Sequence, residues 1–317
     1  MTLDQLLERL RAGDKRAVAR LISWVEDGDR DQLREAAEAL NPATGRAQVL
    51  GLTGSPGVGK STLAGALVAA YRAKGLTVGV LAVDPSSPFT GGALLGDRVR
   101  MQAHALDEGV YIRSMATRGH LGGLAWATPQ AVRVLDAAGC DVVLVETVGV
   151  GQAEVEVAGL ADTTLVALAP GFGDAVQVAK AGILEAADVF VVNKADRDGA
   201  TVVARDLRQM LHLGAARPWQ VPVVLTVAER GDGVEQLVRA IAAHREHLES
   251  SGELDRRRRH RAAREIEEVA LASLRDELGT LGHGEALDAL AEQVAAGKHG
   301  PYSAADQLLA GVRGDRS

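Results

Sequence analysis

The chain has 317 residues, with 35 Lys and Arg against 42 Asp and Glu, for a formal charge of −7. Its mean field repels phosphate polymers, which argues against a nucleic-acid partner. Hydrophobic residues make up 47% of the chain and charged residues 24%, the balance of a protein with a packed core and not of a disordered one. The single cysteine, Cys140, permits no internal disulfide and fits a reducing compartment. No stretch approaches the ~18 uncharged apolar residues of a membrane span, and the N-terminus lacks an apolar signal region. The expectation is a cytoplasmic protein without a membrane anchor.

In chain order, Leu3, Leu6, Leu7 and Leu10, then Val18, Leu21, Ile22 and Val25, recur at helical spacing around a break at Ala12-Gly13-Asp14. Two short helices are expected before the main fold. From Gln48 the pattern changes to the apolar runs VLGLTG, TVGVLAVD, DVVLVET, TTLVALAP, VFVVNKAD and VPVVLTV, separated by amphipathic stretches. This alternation predicts an α/β fold, a mostly parallel sheet with helices on both faces, flanked by N-terminal and C-terminal helical extensions. After about residue 250 the strands stop. A long charged helix carries Ile266, Val269, Ala270, Leu274 and Leu278 on one stripe, and two more helices follow, the last starting at Pro301. So thin an apolar seam is expected to pack on a partner subunit. The expected organisation is an N-terminal helical extension (1–45), a nucleotide-hydrolysing domain (46–250) and a helical dimerisation arm (251–317).

The segment Gly54-Ser55-Pro56-Gly57-Val58-Gly59-Lys60-Ser61 fits G-x-x-x-x-G-K-S/T between an apolar run and a helical one. Glycines in such a loop let backbone N–H groups wrap phosphates, and the helix N-terminus beyond them favours negative charge. Lys60 can bridge phosphate oxygens, Ser61 can place its hydroxyl on Mg²⁺, and Thr62 follows in the first helical turn. The ion also needs acids at neighbouring strand ends. Glu146, Asp84 and Asp97 are the candidates, with Gly149 after Glu146 offering an N–H to the terminal phosphate. The catalytic set expected is Lys60, Glu146, Asp84 and Gly149. For the base, Asn193-Lys194-Ala195-Asp196 stands at another strand end. A carboxylate at Asp196 accepts from guanine N1–H and the 2-amino group together, which adenine cannot offer. Thr226, Val227 and Ala228 would sit near guanine O6. GTP and GDP with Mg²⁺ are the expected ligands.

Together, GSPGVGKST, VDPSS, ETVGVGQ and NKAD resemble the MeaB/ArgK family of P-loop GTPases, chaperones of adenosylcobalamin-dependent methylmalonyl-CoA mutase. GDKRAVARLISWVED, RGHLGGLA, PGFGDAVQ and PYSAADQLL extend the likeness over most of the chain. The resemblance implies a homodimer with crossing C-terminal arms, a phosphate and Mg²⁺ site formed by Lys60, Ser61, Asp84, Asp97 and Glu146, and GTP hydrolysis that gates cobalamin delivery to the mutase and protects it. It also implies that Asp174, Gln177 and Lys180, spaced by three along one helical side, relay contact with methylmalonyl-CoA mutase or a related acyl-CoA mutase. Gln152 does not directly follow Gly149, so slow intrinsic hydrolysis accelerated by the partner is expected. The chain has no D-x-H-x-x-G motif, His120 lacking the preceding Asp, so cobalamin is expected to be held by the partner. The run Arg256–Arg259 is balanced by Glu265, Glu267 and Glu268 and reads as a solvated helix. Competing readings are a metallochaperone GTPase for another metalloenzyme, a P-loop ATPase or kinase linked to amino-acid transport, and a nucleotide-stabilised scaffold.

Overall fold

The computed structural model describes residues 2–27, 30–84, 104, 106–116, 127–147, 153–171, 183–214, 217–280 and 283–314. They fall into two compact units, Met1–Asp255 and Arg256–Ser317.

The first unit is built on one sheet of seven strands: β1 (Gln48–Thr53), β2 (Val78–Asp84), β3 (Val110–Ala116), β4 (Val142–Thr147), β5 (Thr163–Leu168), β6 (Val189–Val192) and β7 (Val223–Leu225). Their order is β3-β2-β4-β1-β5-β6-β7, and every ladder among the described residues is parallel. Parallel neighbours need long crossovers, so helices cover both faces and the strands read as continuous apolar runs. The chain moves from β1 out to β2 and β3 on one side, then to β5, β6 and β7 on the other. The strand ends around β1 are therefore the switch point, where open α/β sheets bind ligands.

One face is covered by α4 (Lys60–Arg72) and α9 (Val234–Ser250), which close over Leu50, Leu52, Val80, Leu144, Leu165 and Val191. The opposite face of β2 and β4 is covered by α1 (Leu3–Arg11), α2 (Lys15–Asp27), α3 (Arg30–Leu40), α5 (Thr128–Ala137) and α6 (Ala153–Leu160), which share a core with Leu81, Val83, Val143 and Val145. After the short α7 (Ile183–Ala186), α8 (Ala200–Leu213) completes that face against Val166, Leu168, Phe190 and Val192.

Two elements differ from the sequence expectation. A third helix, α3, precedes the sheet, held by Ala36 and Leu40, each 1% exposed. The strand β3 interposes between β2 and α5, where no strand was expected. Among the described residues it pairs only with β2; its middle is half-buried and carries Arg113, which forms an ion pair with Glu26 and donates to Ser23 Oγ at 2.9 Å.

The lower edge of the sheet is closed by carboxylates. Asp141, Asp162 and Asp188 each stand just before a strand and accept an N–H from the neighbouring one: Asp141 Oδ2 from Thr77 at 2.8 Å, Asp162 Oδ2 from Val49 at 3.1 Å and Asp188 Oδ2 from Thr164 at 2.8 Å. Staggered parallel strands leave such N–H groups without a ladder partner, and burying them unpaired is costly.

The second unit holds most of α10 (Glu253–Thr280), with α11 (His283–Ala295) and α12 (Pro301–Gly314) packed on each other. On α10, Ile266, Val269, Leu271 and Leu274 are exposed. No helix among the described residues is long and apolar enough to cross a membrane.

Replacing Asp162 by Ala removes the partner of the Val49 N–H and is expected to cost about 1–3 kcal/mol. The urea midpoint should fall at an unchanged slope; an unaltered midpoint would contradict this account of the sheet edge.

Candidate functional site

The site begins where β1 ends. From Thr53 the chain turns through residues 54–59 into α4, whose N-cap is Gly59 at φ 92°. The glycines are required by space as well as by backbone conformation. A Cβ on Gly54, at φ 139°, would lie 2.1 Å from the Ala167 carbonyl oxygen, and one on Gly59 would lie 2.6 Å from Asn193 Nδ2. Val58, fully buried, pins the middle of the loop into the core beneath α4 and α9.

Lys60 opens α4 and is 7% exposed. Its ammonium donates to the Gly54 carbonyl at 2.6 Å and the Ser55 carbonyl at 3.2 Å, so the loop's own oxygens hold the charge. Ser61 Oγ donates to Glu146 Oε1 at 2.8 Å, and both residues are buried. The sheet register brings them together, because Glu146 of β4 stands beside Leu52 of β1, one residue before the loop's approach through Thr53. The next pair, Thr53 and Thr147, join through their hydroxyls at 3.2 Å. A helix N-terminus, a cation and a hydroxyl–carboxylate pair thus converge at one end of β1, a constellation suited to a phosphate chain and an oxygen-liganded divalent ion.

The second half of the site is built at the end of β6. Asn193 is 2% exposed and uses its whole carboxamide: Nδ2 donates to the Val58 carbonyl at 2.9 Å, while Oδ1 accepts from Thr226 Oγ1 at 3.2 Å and Ala228 N at 3.1 Å. Lys194 takes the left-handed conformation, φ 55°, and reaches back to the Gly57 carbonyl at 2.7 Å. The 226–228 segment is further tied by Ala195 N to the Thr226 carbonyl at 3.0 Å. Asp196 remains exposed, with Arg230 Nη1 at 3.8 Å from its Oδ2, and Arg230 Nε is bound to Asp232 at 2.9 Å. Arg230 was not singled out by the sequence; the only signal was its place in the polar turn after Ala228.

Asp84 is the last residue of β2, and its side chain lies outside the described residues, as do Asp97, Gly149, Gln152, Asp174, Gln177 and Lys180. Among the histidines, His244 is a core group at the far end of the sheet. Its Nδ1 is 2.9 Å from Thr163 Oγ1, its Nε2 is 3.3 Å from Asp188 Oδ1, and its ring lies against Trp219.

A family model described as methylmalonyl Co-A mutase-associated GTPase MeaB matches residues 18–281. The chain belongs to this family. It is a GTPase and binds guanine nucleotide. A putative GTPase of Pyrococcus abyssi is 49% identical over 317 residues, covering 98% of this chain and 97% of its own length. The fused isobutyryl-CoA mutase of Cupriavidus metallidurans is 36% identical over 244 residues, which are 74% of this chain and 22% of that protein. Among solved structures, the crystal structure of a LAO/AO transport system kinase superposes with a TM-score of 0.71 at 27% identity, covering 98% of both chains.

Exchanging Glu146 for Gln keeps an oxygen for the Ser61 hydroxyl and removes one charge. GDP affinity without divalent ion is expected to stay within about threefold, because the phosphate amides are untouched, while GTP turnover falls by about 100-fold or more. Turnover near that of the unaltered protein would remove Glu146 from the catalytic set.

Proposed function

We propose that this GTPase is a chaperone for an adenosylcobalamin-dependent acyl-CoA mutase, methylmalonyl-CoA mutase or a relative of it, and that GTP binding and hydrolysis gate cobalamin delivery and protect the mutase. The observation that carries the reading is the fused protein: a sequence 36% identical to this one occupies 22% of a chain named as an isobutyryl-CoA mutase. Fusion makes permanent, at high effective concentration, a contact that separate chains must form by association.

In the proposed mechanism, α4's first turn and the loop amides hold the β- and γ-phosphates. Lys60 exchanges two neutral carbonyl acceptors for phosphate oxygens, a stronger charge-assisted pairing. The adjoining buried oxygens of Ser61 and Glu146 fit a hard divalent cation, and they would hold Mg²⁺ with Asp84 and Asp97 completing the set. When bound, that ion neutralises charge between the phosphates. Gly149 offers its N–H to the terminal phosphate, and Asp196 accepts from the guanine edge once Arg230 turns aside. Lys194 lies along the base, and Asn193, Thr226, Val227 and Ala228 keep the base pocket in register with the phosphate loop. Hydrolysis is slow until Asp174, Gln177 and Lys180 engage the mutase.

In this reading residues 46–250 are the GTPase domain, 1–45 its helical extension, and 251–317 an arm that forms a homodimer through the exposed seam of Ile266, Val269 and Leu274. Cobalamin stays with the partner, and the complex works in the cytoplasm. The name of the structurally similar transport-system kinase favours a second reading, an ATP-dependent kinase. A carboxylate at Asp196 opposes it, since adenine presents an acceptor at N1.

The test is steady-state hydrolysis of GTP and ATP by the dimer-sized preparation, with and without an acyl-CoA mutase from the same source. GTP turnover is expected to rise several-fold with the mutase, and Lys180→Ala to abolish the rise without changing the basal rate. Preference for ATP, or a rate indifferent to every mutase tried, would sink the chaperone reading.

A further inference from the structure

At the end of the sheet opposite the nucleotide loop, the first unit carries a half-open cavity of about 630 Å³. Its wall is assembled from the starts of β1 and β4, the C-terminal ends of α4 and α5, the last turn of α1 and the middle of α9, through Gln48, Val142, Tyr71, Ala137, Arg11 and Arg245. β1 separates it from the phosphate loop by about 20 Å, the length of a six-residue strand. The two sites can therefore be filled together.

The wall holds one buried polar group without the partner such groups normally find, and two exposed arginines at its rim. Gln48 is 6% exposed, yet its carboxamide Nε2 has no hydrogen-bond partner, a state rare enough in a folded protein to require a reason. The guanidinium groups of Arg11 and Arg46, at the rim, form no ion pair among the described residues. Tyr71 is buried, and burial pushes its phenol pKa up, so it stays a neutral hydroxyl.

The acids of the wall are already committed. Asp136 accepts N–H bonds from Gly45 at 2.6 Å, Ala47 at 3.0 Å and Arg46 at 3.3 Å, and Asp141 accepts from Thr77 at 2.8 Å. Cys140 lies between them, and burial pushes its pKa up to about 12, with Asp136 and Asp141 adding to the effect, so it is an uncharged thiol. Against these two carboxylates stand Arg11, Arg46 and Arg245. Arg245 is already paired with Glu249 at 2.8 Å, which leaves the forks of Arg11 and Arg46 for a ligand. Beyond the rim the wall turns apolar at Leu10, Leu76 and Val142.

We propose that this cavity is a second ligand site, for a small aliphatic monocarboxylate. Its carboxylate would meet Arg11 and Arg46, whose planar forks match it in pairs, together with the unpartnered amide of Gln48. Its hydrocarbon end would lie against Leu10, Leu76 and Val142. Inorganic phosphate fits less well, because it leaves the apolar end at Leu10, Leu76 and Val142 empty.

The experiment is isothermal titration of the full-length protein, saturated with GDP so that the nucleotide site is closed, at constant ionic strength. Isobutyrate and butyrate are the probes, with inorganic phosphate as the comparison. One carboxylate per chain should bind with a Kd of about 1 mM. Arg46→Ala, a change at an exposed position, and Gln48→Met, close in volume, should each weaken binding by about tenfold or more while GDP affinity holds. Three results would overturn the proposal: no saturable binding of either carboxylate, binding unaffected by both variants, or tighter binding of phosphate. This experiment reads carboxylate binding and the chaperone test reads GTP turnover with and without a mutase, so failure here leaves the chaperone reading standing and failure there leaves this site standing.

Discussion

The buried carboxamide of Asn193 is the constraint on which the rest of the nucleotide site depends. Standing at the end of β6, it crosses the end of β5 to bind the phosphate loop at Val58, and with its other atom it holds Thr226 and Ala228. Three loops from separate parts of the chain are thereby fixed by one planar group. The requirement runs back into the sequence of the loop itself: Gly59 must lack a Cβ because Asn193 Nδ2 would lie 2.6 Å from it. Gly54 answers the same demand over Ala167 at the end of β5. The phosphate loop and the loops at 193–196 and 226–228 are therefore tied together, and in the proposed reading a guanine met by Asp196 fixes where its phosphates fall.

Charge within the site is prearranged in a similar way. Lys60 is buried but shared between two carbonyls, and Glu146 is buried but accepts from Ser61. Isolated buried charges are expensive; each here is held in place by groups that a phosphate chain or a divalent ion can replace. Lys60 and Glu146 thus stand in place before ligand arrives, the condition under which electrostatic stabilisation is largest.

Much of this was legible in the sequence, for physical reasons particular to each element. The phosphate loop could be read because close backbone approach tolerates only glycine at fixed places and because α4 must follow at once. The strands beside it could be read because burial on both faces leaves uninterrupted apolar runs. β3 could not: on an edge, with Arg113 turned to Glu26, its polar residues hide the pattern. α3 was missed because Leu33, Ala36 and Leu40 are thinly spread among charges. Asp141, Asp162 and Asp188 drew no reading, since nothing local reveals that each serves an N–H of the neighbouring strand. Arg230 and the lower cavity are assembled by tertiary structure from distant segments, and no spacing rule encodes them.

The most direct test of the account is the base preference of Asp196→Asn. A carboxylate at this position accepts from two donors on guanine; a carboxamide presents one acceptor and one donor, the match for xanthine, whose C2 carries a carbonyl in place of the amino group. Competition binding of GDP and XDP to the variant should show GDP weakened by about 100-fold and XDP strengthened by a similar factor, with Asn193 and the phosphate loop unchanged. Undiminished GDP binding by the variant would mean that the base is read elsewhere than at Asp196.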